Sequence, residues 1–231
     1  QPNAMGGREV GALANQLSAH RNLADPQHRA EVAALWGVPE VPATPGKAAV
    51  ELFEAAADGQ IKLLWIACTN PAHSLPDQAL VRRALQRAEF VVVQDAYATG
   101  ATARYADLLL PATTWGEKEG TVTNSERRIS RVRAAVAAPG QAWADWRIVT
   151  EVARRVQPLL PTRAHLPSLF PYDGPEAIWN EHRESTRGRD LDITGLSWAQ
   201  LDAAPQQWPC PQGQPQGRAR LYTDGRFATP D

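Results

Sequence analysis

Polar side chains that could bind a ligand follow three apolar runs in the middle of the sequence. Asn70 and Ser74 follow the run IKLLWIAC, Gln94 and Asp95 end the run EFVVVQD, and Lys118 follows the run ADLLLPATT. Amide groups suit a base edge or a ribose hydroxyl, because they both donate and accept hydrogen bonds. A carboxylate accepts from a ribose diol or from guanine N–H groups, and an ammonium group binds a phosphate or a carbonyl oxygen. Together, these residue types predict a nucleotide-like ligand.

Each of these residues also has a structural alternative. Asn70 precedes a proline, which is a common turn dipeptide, and Asp95 could cap the turn that follows it. Lys118 could pair with a neighbouring acid of the stretch WGEKEGTVTNSERR, whose two final arginines could pair with the same acids or face another domain. Asp145 begins a predicted helix, where an N-cap is the common role of an aspartate. Residue types and spacing leave these alternatives open.

The elements that would position these side chains alternate between strands and helices. The three apolar runs are continuous rather than alternating, which is typical of parallel strands buried on both faces. Helical patterns lie between and before them, in KAAVELFEAAADG and LPDQALVRRALQRAE. The sequence therefore predicts an α/β fold, a Rossmann-like open parallel sheet flanked by helices. Ligands bind such sheets at the carboxyl ends of the strands, where the polar side chains above are expected.

The predicted sheet has long irregular extensions on both sides. Residues 1–46 are expected to form loops and two helices, over REVGALANQLSAH and DPQHRAEVAALWG. Residues 47–160 are the predicted α/β core, in which residues 121–136 are extended. The core closes with the helix ADWRIVTEVARRV, predicted to bury Val149, Val152, Ala153 and Val156.

The C-terminal extension, residues 161–231, is predicted to be a helical and proline-rich linker toward another domain. Helices are expected near 175–187 and 197–204. The segment APQQWPCPQGQPQG contains no Ile, Leu or Val, so we expect an extended loop outside any core.

Composition excludes several classes of function. The net charge of −1 and the pI near 6.6 predict no general attraction to nucleic acid or anionic membranes. No apolar run approaches the ~20 residues of a membrane helix. The two cysteines are far apart, the five histidines have no ligand spacing, and the common phosphate-loop, dinucleotide, zinc-protease and hydrolase motifs are absent. We therefore predict no metal ligand and no catalytic residue in this sequence.

Longer stretches of the sequence resemble a known family. QPNAMGGREVG, CTNPAHSLPD, VVVQDAYATGATARYADLLLPATTWGEKEGTVTNSERRISRVR, ADWRIVTEVA, QWPCP and DGRFATPD together resemble the catalytic subunit of the molybdopterin oxidoreductase superfamily. The likeness runs along the whole sequence, and the block from residue 94 to residue 133 is long and specific. It is nearest to bacterial assimilatory nitrate reductases, with formate dehydrogenases and periplasmic nitrate reductases as more distant relatives.

The resemblance implies a cofactor and a set of residues that bind it. Such enzymes hold molybdenum or tungsten between two molybdopterin guanine dinucleotides, and an iron–sulfur cluster on an N-terminal domain. Matching positions are implied to bind the guanosine part of one dinucleotide: Asn70, Ser74, Gln94, Asp95, Lys118 and Asp145. Asp145, which by position alone is a helix cap, is implied to accept from guanine N–H groups.

The resemblance also implies what this sequence does not supply. The metal ligand and the iron–sulfur cysteines lie upstream in the family, so the chain is expected to be a cytoplasmic fragment, inactive alone, whose partners are other domains of one polypeptide and an electron donor. A formate dehydrogenase-type subunit is the alternative. A free-standing nucleotide-binding module is a second alternative, from a different functional class.

Overall fold

The computed structural model describes residues 3–226. They include helices and strands that the sequence predicts and others that it does not. The α-helices are α1 Ala4–Glu9, α2 Pro26–Trp36, α3 Ala49–Ala57, α4 Pro71–Ser74, α5 Gln78–Arg87, α6 Asp145–Val156, α7 Pro175–Ser185 and α8 Trp198–Ala203. The strands are β1 Gln16–Leu17, β2 Arg21–Asn22, β3 Leu63–Ala67, β4 Phe90–Asp95, β5 Leu108–Pro111, β6 Gly120–Thr123, β7 Arg128–Val132 and β8 Gln206–Gln207.

The chain divides into two compact units, each built from separate stretches of sequence. One unit, which we call the parallel-sheet unit, consists of residues 45–119 and 133–171. The other, the antiparallel-sheet unit, consists of residues 1–44, 120–132 and 172–231, although its first two and last five residues lie outside the described part. This division differs from the three consecutive segments 1–46, 47–160 and 161–231 expected from the sequence, because residues 120–132 contact α1 near one end of the chain and pair with β8 near the other.

The three apolar runs form the predicted parallel strands. The strand order is β3-β4-β5, and both pairings are parallel. Helices α3 and α5 cover one face of this sheet, where their side chains meet those of β3 and β4. The shared core contains Phe53, Ala56, Leu64, Ile66, Val81, Ala84, Leu85, Val91 and Val93. The structure therefore confirms a mixed α/β fold with a three-stranded parallel sheet.

Burial on both faces is limited to the central strand. In β4, Val91, Val92 and Val93 are all buried. The outer strands expose Leu63, which is 55% exposed, and Leu109, which is 43% exposed. The expectation that all three strands are buried is wrong for β3 and β5, since each is an edge strand of the sheet within residues 3–226.

Helix α6 follows the predicted boundaries but buries a different face. Ile148 and Thr150 are buried, whereas Val149 is 41% and Val156 is 42% exposed. Ile148 and Val152, one turn apart, line a cavity of about 580 Å³ beside β5. The prediction is therefore wrong for Val149 and Val156, whereas Val152 and Ala153 are half-buried. The spacing of the valines alone did not identify the face that meets the sheet.

The antiparallel-sheet unit contains the two clearest departures from the sequence-based expectations. The helix expected over residues 8–20 ends at Glu9, and β1 and β2 form a hairpin instead. Gly11 has a φ of +78°, and a Cβ there would lie 2.4 Å from the backbone carbon of Leu17. This tight approach requires glycine and turns the chain out of the helix.

The loop expected to lie outside any core contributes to one. Gln206 and Gln207 pair with β7 as β8, and Trp208 and Cys210 are buried. They join a core of Ala19, Ile129, Trp179, Leu191, Ile193, Leu196 and Leu201. A segment without Ile, Leu or Val can still bury a large apolar area through one tryptophan.

Candidate functional site

The structure brings four of the predicted residues to the carboxyl ends of the parallel strands. Asn70 follows β3, Gln94 and Asp95 end β4, and Lys118 lies on the loop after β5. Parallel strands end at the same edge of a sheet, which is why polar residues far apart in sequence come together there. Asp145 is the first residue of α6, and no side-chain cap hydrogen bond is made at this helix start.

Three side chains donate hydrogen bonds to the carboxylate of Asp145. The Nζ of Lys118 lies 2.9 Å from Oδ2, and the Nε2 of Gln94 lies 2.8 Å from Oδ1. The Sγ of Cys68 lies 3.3 Å from the same Oδ1. Asp145 therefore faces the strand ends instead of capping its own helix, so the cap interpretation is wrong. We call Cys68, Gln94, Lys118 and Asp145 the carboxylate cluster.

The cluster keeps the Asp145 carboxylate ionised. Burial alone would raise the pKa of Asp145, but the hydrogen bonds from Lys118 and Gln94 and the positive charge of Lys118 outweigh it and hold the pKa below its usual value. The Asp145 side chain remains 29% exposed. An ionised, partly accessible carboxylate is a hydrogen-bond acceptor available to a ligand.

Gln94 lies beneath this carboxylate and is only 1% exposed. Its Oε1 accepts a hydrogen bond from the indole Nε1 of Trp65 at 3.2 Å, which fixes the orientation of the amide. The other end of the amide then points its Nε2 at Asp145. This geometry therefore does not favour the predicted contact between Gln94 and a ligand. Both the oxygen and the nitrogen of the side-chain amide already have partners within the chain.

Asn70 belongs to a second polar group at the same edge of the sheet. Its Oδ1 accepts from the backbone N of Thr102 at 3.1 Å and from Oγ1 of Thr102 at 2.6 Å. The Thr102 hydroxyl in turn accepts from the backbone N of Ala72 at 3.1 Å. Within residues 3–226, the Nδ2 of Asn70 makes no hydrogen bond, so this amide nitrogen can donate to a ligand.

Ser74 and Asp95 have local partners. The Oγ of Ser74 donates to the backbone oxygen of Asn70 at 3.1 Å, and Oδ1 of Asp95 accepts from the backbone N of Tyr97 at 3.0 Å. The turn-capping alternative for Asp95 is therefore confirmed. A carboxylate has about four acceptor positions, so this contact leaves Asp95 able to bind a second group.

The loop after β5 holds Lys118 over an aromatic ring. Oε2 of Glu117 accepts from the backbone N of Thr114 at 2.8 Å, which closes the short turn Trp115–Glu117. The Nζ of Lys118 then lies 5.1 Å from the centre of the Trp115 ring, a cation–π geometry. Lys118 thus pairs with Asp145. The alternative that it pairs with a neighbouring acid of the same loop is wrong.

The two arginines that end the stretch WGEKEGTVTNSERR have their partners within the antiparallel-sheet unit. Arg127 donates to the backbone oxygens of Trp208, Arg218 and Ala219. Arg128 pairs with Glu126 at 2.8 Å. Neither arginine pairs with the acids beside Lys118.

The groups at the strand ends include both hydrogen-bond donors and hydrogen-bond acceptors for a polar ligand. The Asp145 carboxylate can accept from guanine N–H groups, and the amide of Asn70 can donate. The hydroxyl of Thr113, which is 4% exposed, has no hydrogen-bond partner within the described residues, and such a group usually indicates an unseen partner. Two aromatic side chains nearby in sequence are exposed, Tyr97 at 68% and Trp115 at 51%.

Other candidate sites do not compete with the strand ends. Within residues 3–226, no group of three His, Cys, Asp or Glu side chains could hold a metal ion. No helix in the same range is long and apolar enough to cross a membrane. The cavity beside β5 and α6 is lined mainly by apolar side chains and contains no member of the carboxylate cluster.

Sequence reasoning missed three members of these polar groups: Trp65, Cys68 and Thr102. Trp65 and Cys68 both lie inside the apolar run IKLLWIAC, where a core role is the default expectation. Cys68 has a φ of +57°, an unusual conformation for a non-glycine residue, but this is not visible in the sequence.

Comparisons with known proteins identify similar sequences along nearly the whole chain. The molybdopterin oxidoreductase family model matches residues 3–155. A nitrate reductase from Synechocystis is 42% identical over 99% of this chain and 32% of its own length. The assimilatory nitrate reductase catalytic subunit of Bacillus subtilis is 39% identical over 100% of this chain and 31% of its own length. This chain therefore spans about a third of the length of these relatives.

Two further similarities are more distant, one to a formate dehydrogenase sequence and one to a solved structure. Formate dehydrogenase H of Escherichia coli is 32% identical over 100% of this chain and 30% of its own length. Among solved structures, acetylene hydratase from Pelobacter acetylenicus superposes with a TM-score of 0.56 at 19% identity. The superposition covers 79% of this chain and 24% of that one, and at this identity it supports the fold alone.

Proposed function

Because this chain belongs to the molybdopterin oxidoreductase family, and hence to an enzyme with a molybdenum–molybdopterin cofactor, we propose that its parallel-sheet unit binds the guanosine end of that cofactor. The carboxylate cluster is the observation on which this proposal rests. An ionised carboxylate, held from below by Gln94 and beside Lys118, can accept the N–H groups of guanine. Adenine has no matching pair of donors on one edge.

The proposal gives each strand-end residue a role. Asp145 accepts from the guanine base, and Asn70 donates its free Nδ2–H to the nucleotide. Asp95 and Ser74 lie at the same edge of the sheet and suit ribose hydroxyl groups. Lys118 balances the charge of Asp145. The Rossmann-like assignment of the sheet belongs to this proposal, since such sheets bind nucleotides at this edge.

The chain's residues orient the cofactor and do not react. When bound, the molybdenum–pterin group supplies the redox chemistry. The carboxylate cluster fixes one end of an elongated ligand, so that the other end is held at a defined place. We infer that the metal ligand and the iron–sulfur cluster belong to other domains of a longer polypeptide.

The substrate we propose is nitrate, in a cytoplasmic assimilatory enzyme that receives electrons from a donor protein. The support is the identity with nitrate reductases, 42% and 39%, which is higher than the 32% with formate dehydrogenase H. Formate oxidation is the second candidate, because that enzyme also matches the entire chain.

A direct assay separates these two substrates. The enzyme that contains this chain, purified with its cofactor, is supplied with a reduced artificial donor and nitrate, or with formate and an artificial acceptor. We expect nitrite formation and no formate oxidation. Activity on formate alone would contradict the nitrate assignment and leave the nucleotide-binding role intact.

A further inference from the structure

The Asp145 carboxylate has almost no free acceptor positions. A carboxylate offers about four, two on each oxygen. Oδ1 already accepts from Nε2 of Gln94 and from Sγ of Cys68, and Oδ2 accepts from Nζ of Lys118. Among the described residues, 3–226, one position therefore remains, and it is on Oδ2.

Guanine requires one position on each oxygen. Its N1–H and N2–H groups point in the same direction from one edge of the base, and a carboxylate meets such a pair with both oxygens. Oδ2 of Asp145 can accept one of them as it stands. Oδ1 can accept the other only if one of its present donors leaves.

The two donors on Oδ1 differ in how easily they leave. Gln94 is 1% exposed and is held from behind by Trp65, so its departure would leave buried polar groups without partners. Cys68 is exposed, and its S–H group is a weak donor at 3.3 Å. The thiol is the donor that a ligand arriving from solvent can replace.

We propose that the Cys68 thiol is a displaceable placeholder on Asp145, which occupies the position that guanine takes when the nucleotide binds. This inference rests on the proposed function of the cluster. Cys68 then competes with guanine for Oδ1 and lowers its affinity, while Trp65 and Gln94 hold the carboxylate in place. Desolvation, together with the charge of Asp145, raises the pKa of Cys68 to about 11, so the thiol keeps its proton and remains a donor at neutral pH.

The proposal is tested by titrating the full chain with GMP and IMP, the latter lacking the N2 amino group. Binding is followed by NMR in the wild type, Cys68→Ala, Cys68→Ser and the control Gln60→Ala, a residue that precedes β3. Removing the placeholder should tighten GMP binding about two- to fivefold, and the stronger hydroxyl donor of serine should weaken it by a similar factor. Hypoxanthine has only N1–H and can use the free position on Oδ2, so IMP affinity should be unchanged in both variants.

Each other outcome has a defined meaning. If Cys68→Ala leaves GMP affinity unchanged or weakens it, while wild-type chain prefers GMP to AMP, the placeholder is contradicted and the proposed function survives. If the wild-type chain binds GMP no better than AMP, the proposed function is contradicted and the placeholder with it. Parallel loss of GMP and IMP binding in both Cys68 variants would identify Cys68 as a structural residue and would also contradict the placeholder.

Discussion

The carboxylate cluster brings together residues that are as many as 77 positions apart in sequence, Cys68 and Asp145. The strand-end positions of Asn70, Gln94, Asp95 and Lys118 could be predicted, because apolar runs show where strands end. Whether a side chain at such a position faces solvent or lies beneath its neighbours is decided by packing. Gln94 illustrates this limit, since the residue is at the predicted place but is buried.

The contact between Cys68 and Asp145 predicts how fast the thiol reacts. In Asp145→Asn the negative charge beside the sulfur is removed, so the pKa of Cys68 should fall from about 11 toward its usual range. The desolvation of the Cys68 sulfur remains in this variant, so part of the increase in its pKa remains as well. Since only the thiolate reacts, alkylation by iodoacetamide at pH 8 should be faster by roughly tenfold for each pKa unit lost.

Cys210 does not interfere with this measurement, because it is buried and Cys68 is exposed. Asp58→Asn, an exposed acid at the end of α3, is the matched control and should react like the wild type. Equal rates in Asp145→Asn and the wild type would show that the thiol does not contact this carboxylate.

At the scale of elements, long apolar or amphipathic segments were predictable and short irregular ones were not. The strands β3 to β5 and the helices α2, α3, α5, α6, α7 and α8 follow the expected pattern. The hairpin of β1 and β2 was missed, because Val10 and Leu13 have helical spacing but are 52% and 51% exposed. A single glycine at a left-handed φ outweighs that spacing.

Two glycines in and after α1 should respond oppositely to alanine. Gly11→Ala places a Cβ 2.4 Å from the backbone of Leu17 at a φ of +78°, and should lower the free energy of unfolding by about 2 kcal/mol or more. Gly7→Ala lies inside α1 with no atom near the new Cβ, and should raise it by about 0.5–1 kcal/mol. Urea unfolding of both variants measures this, and equal effects would contradict the end of α1 at Glu9.

At the scale of the molecule, the sequence could not predict that residues 120–132 leave the parallel-sheet unit. Those residues form β6 and β7, which pair with each other, and β7 also pairs with β8, which lies far along the chain. Antiparallel pairing across such a distance has no local signal. The family resemblance covered the whole chain and implied a ligand contact for Asp145, which position alone assigned to a helix cap.

The central claim is that Asp145 binds the guanosine end of the cofactor. The most direct measurement is the cofactor content of the purified enzyme that contains this chain, as GMP released by acid and as molybdenum per protein. Asp145→Ala should lower both several-fold, because a charge-paired acceptor is lost, and Asp95→Ala should lower them less. Asp58→Ala should match the wild type. GMP and molybdenum at wild-type levels in both the Asp145 and the Asp95 variants would contradict the account.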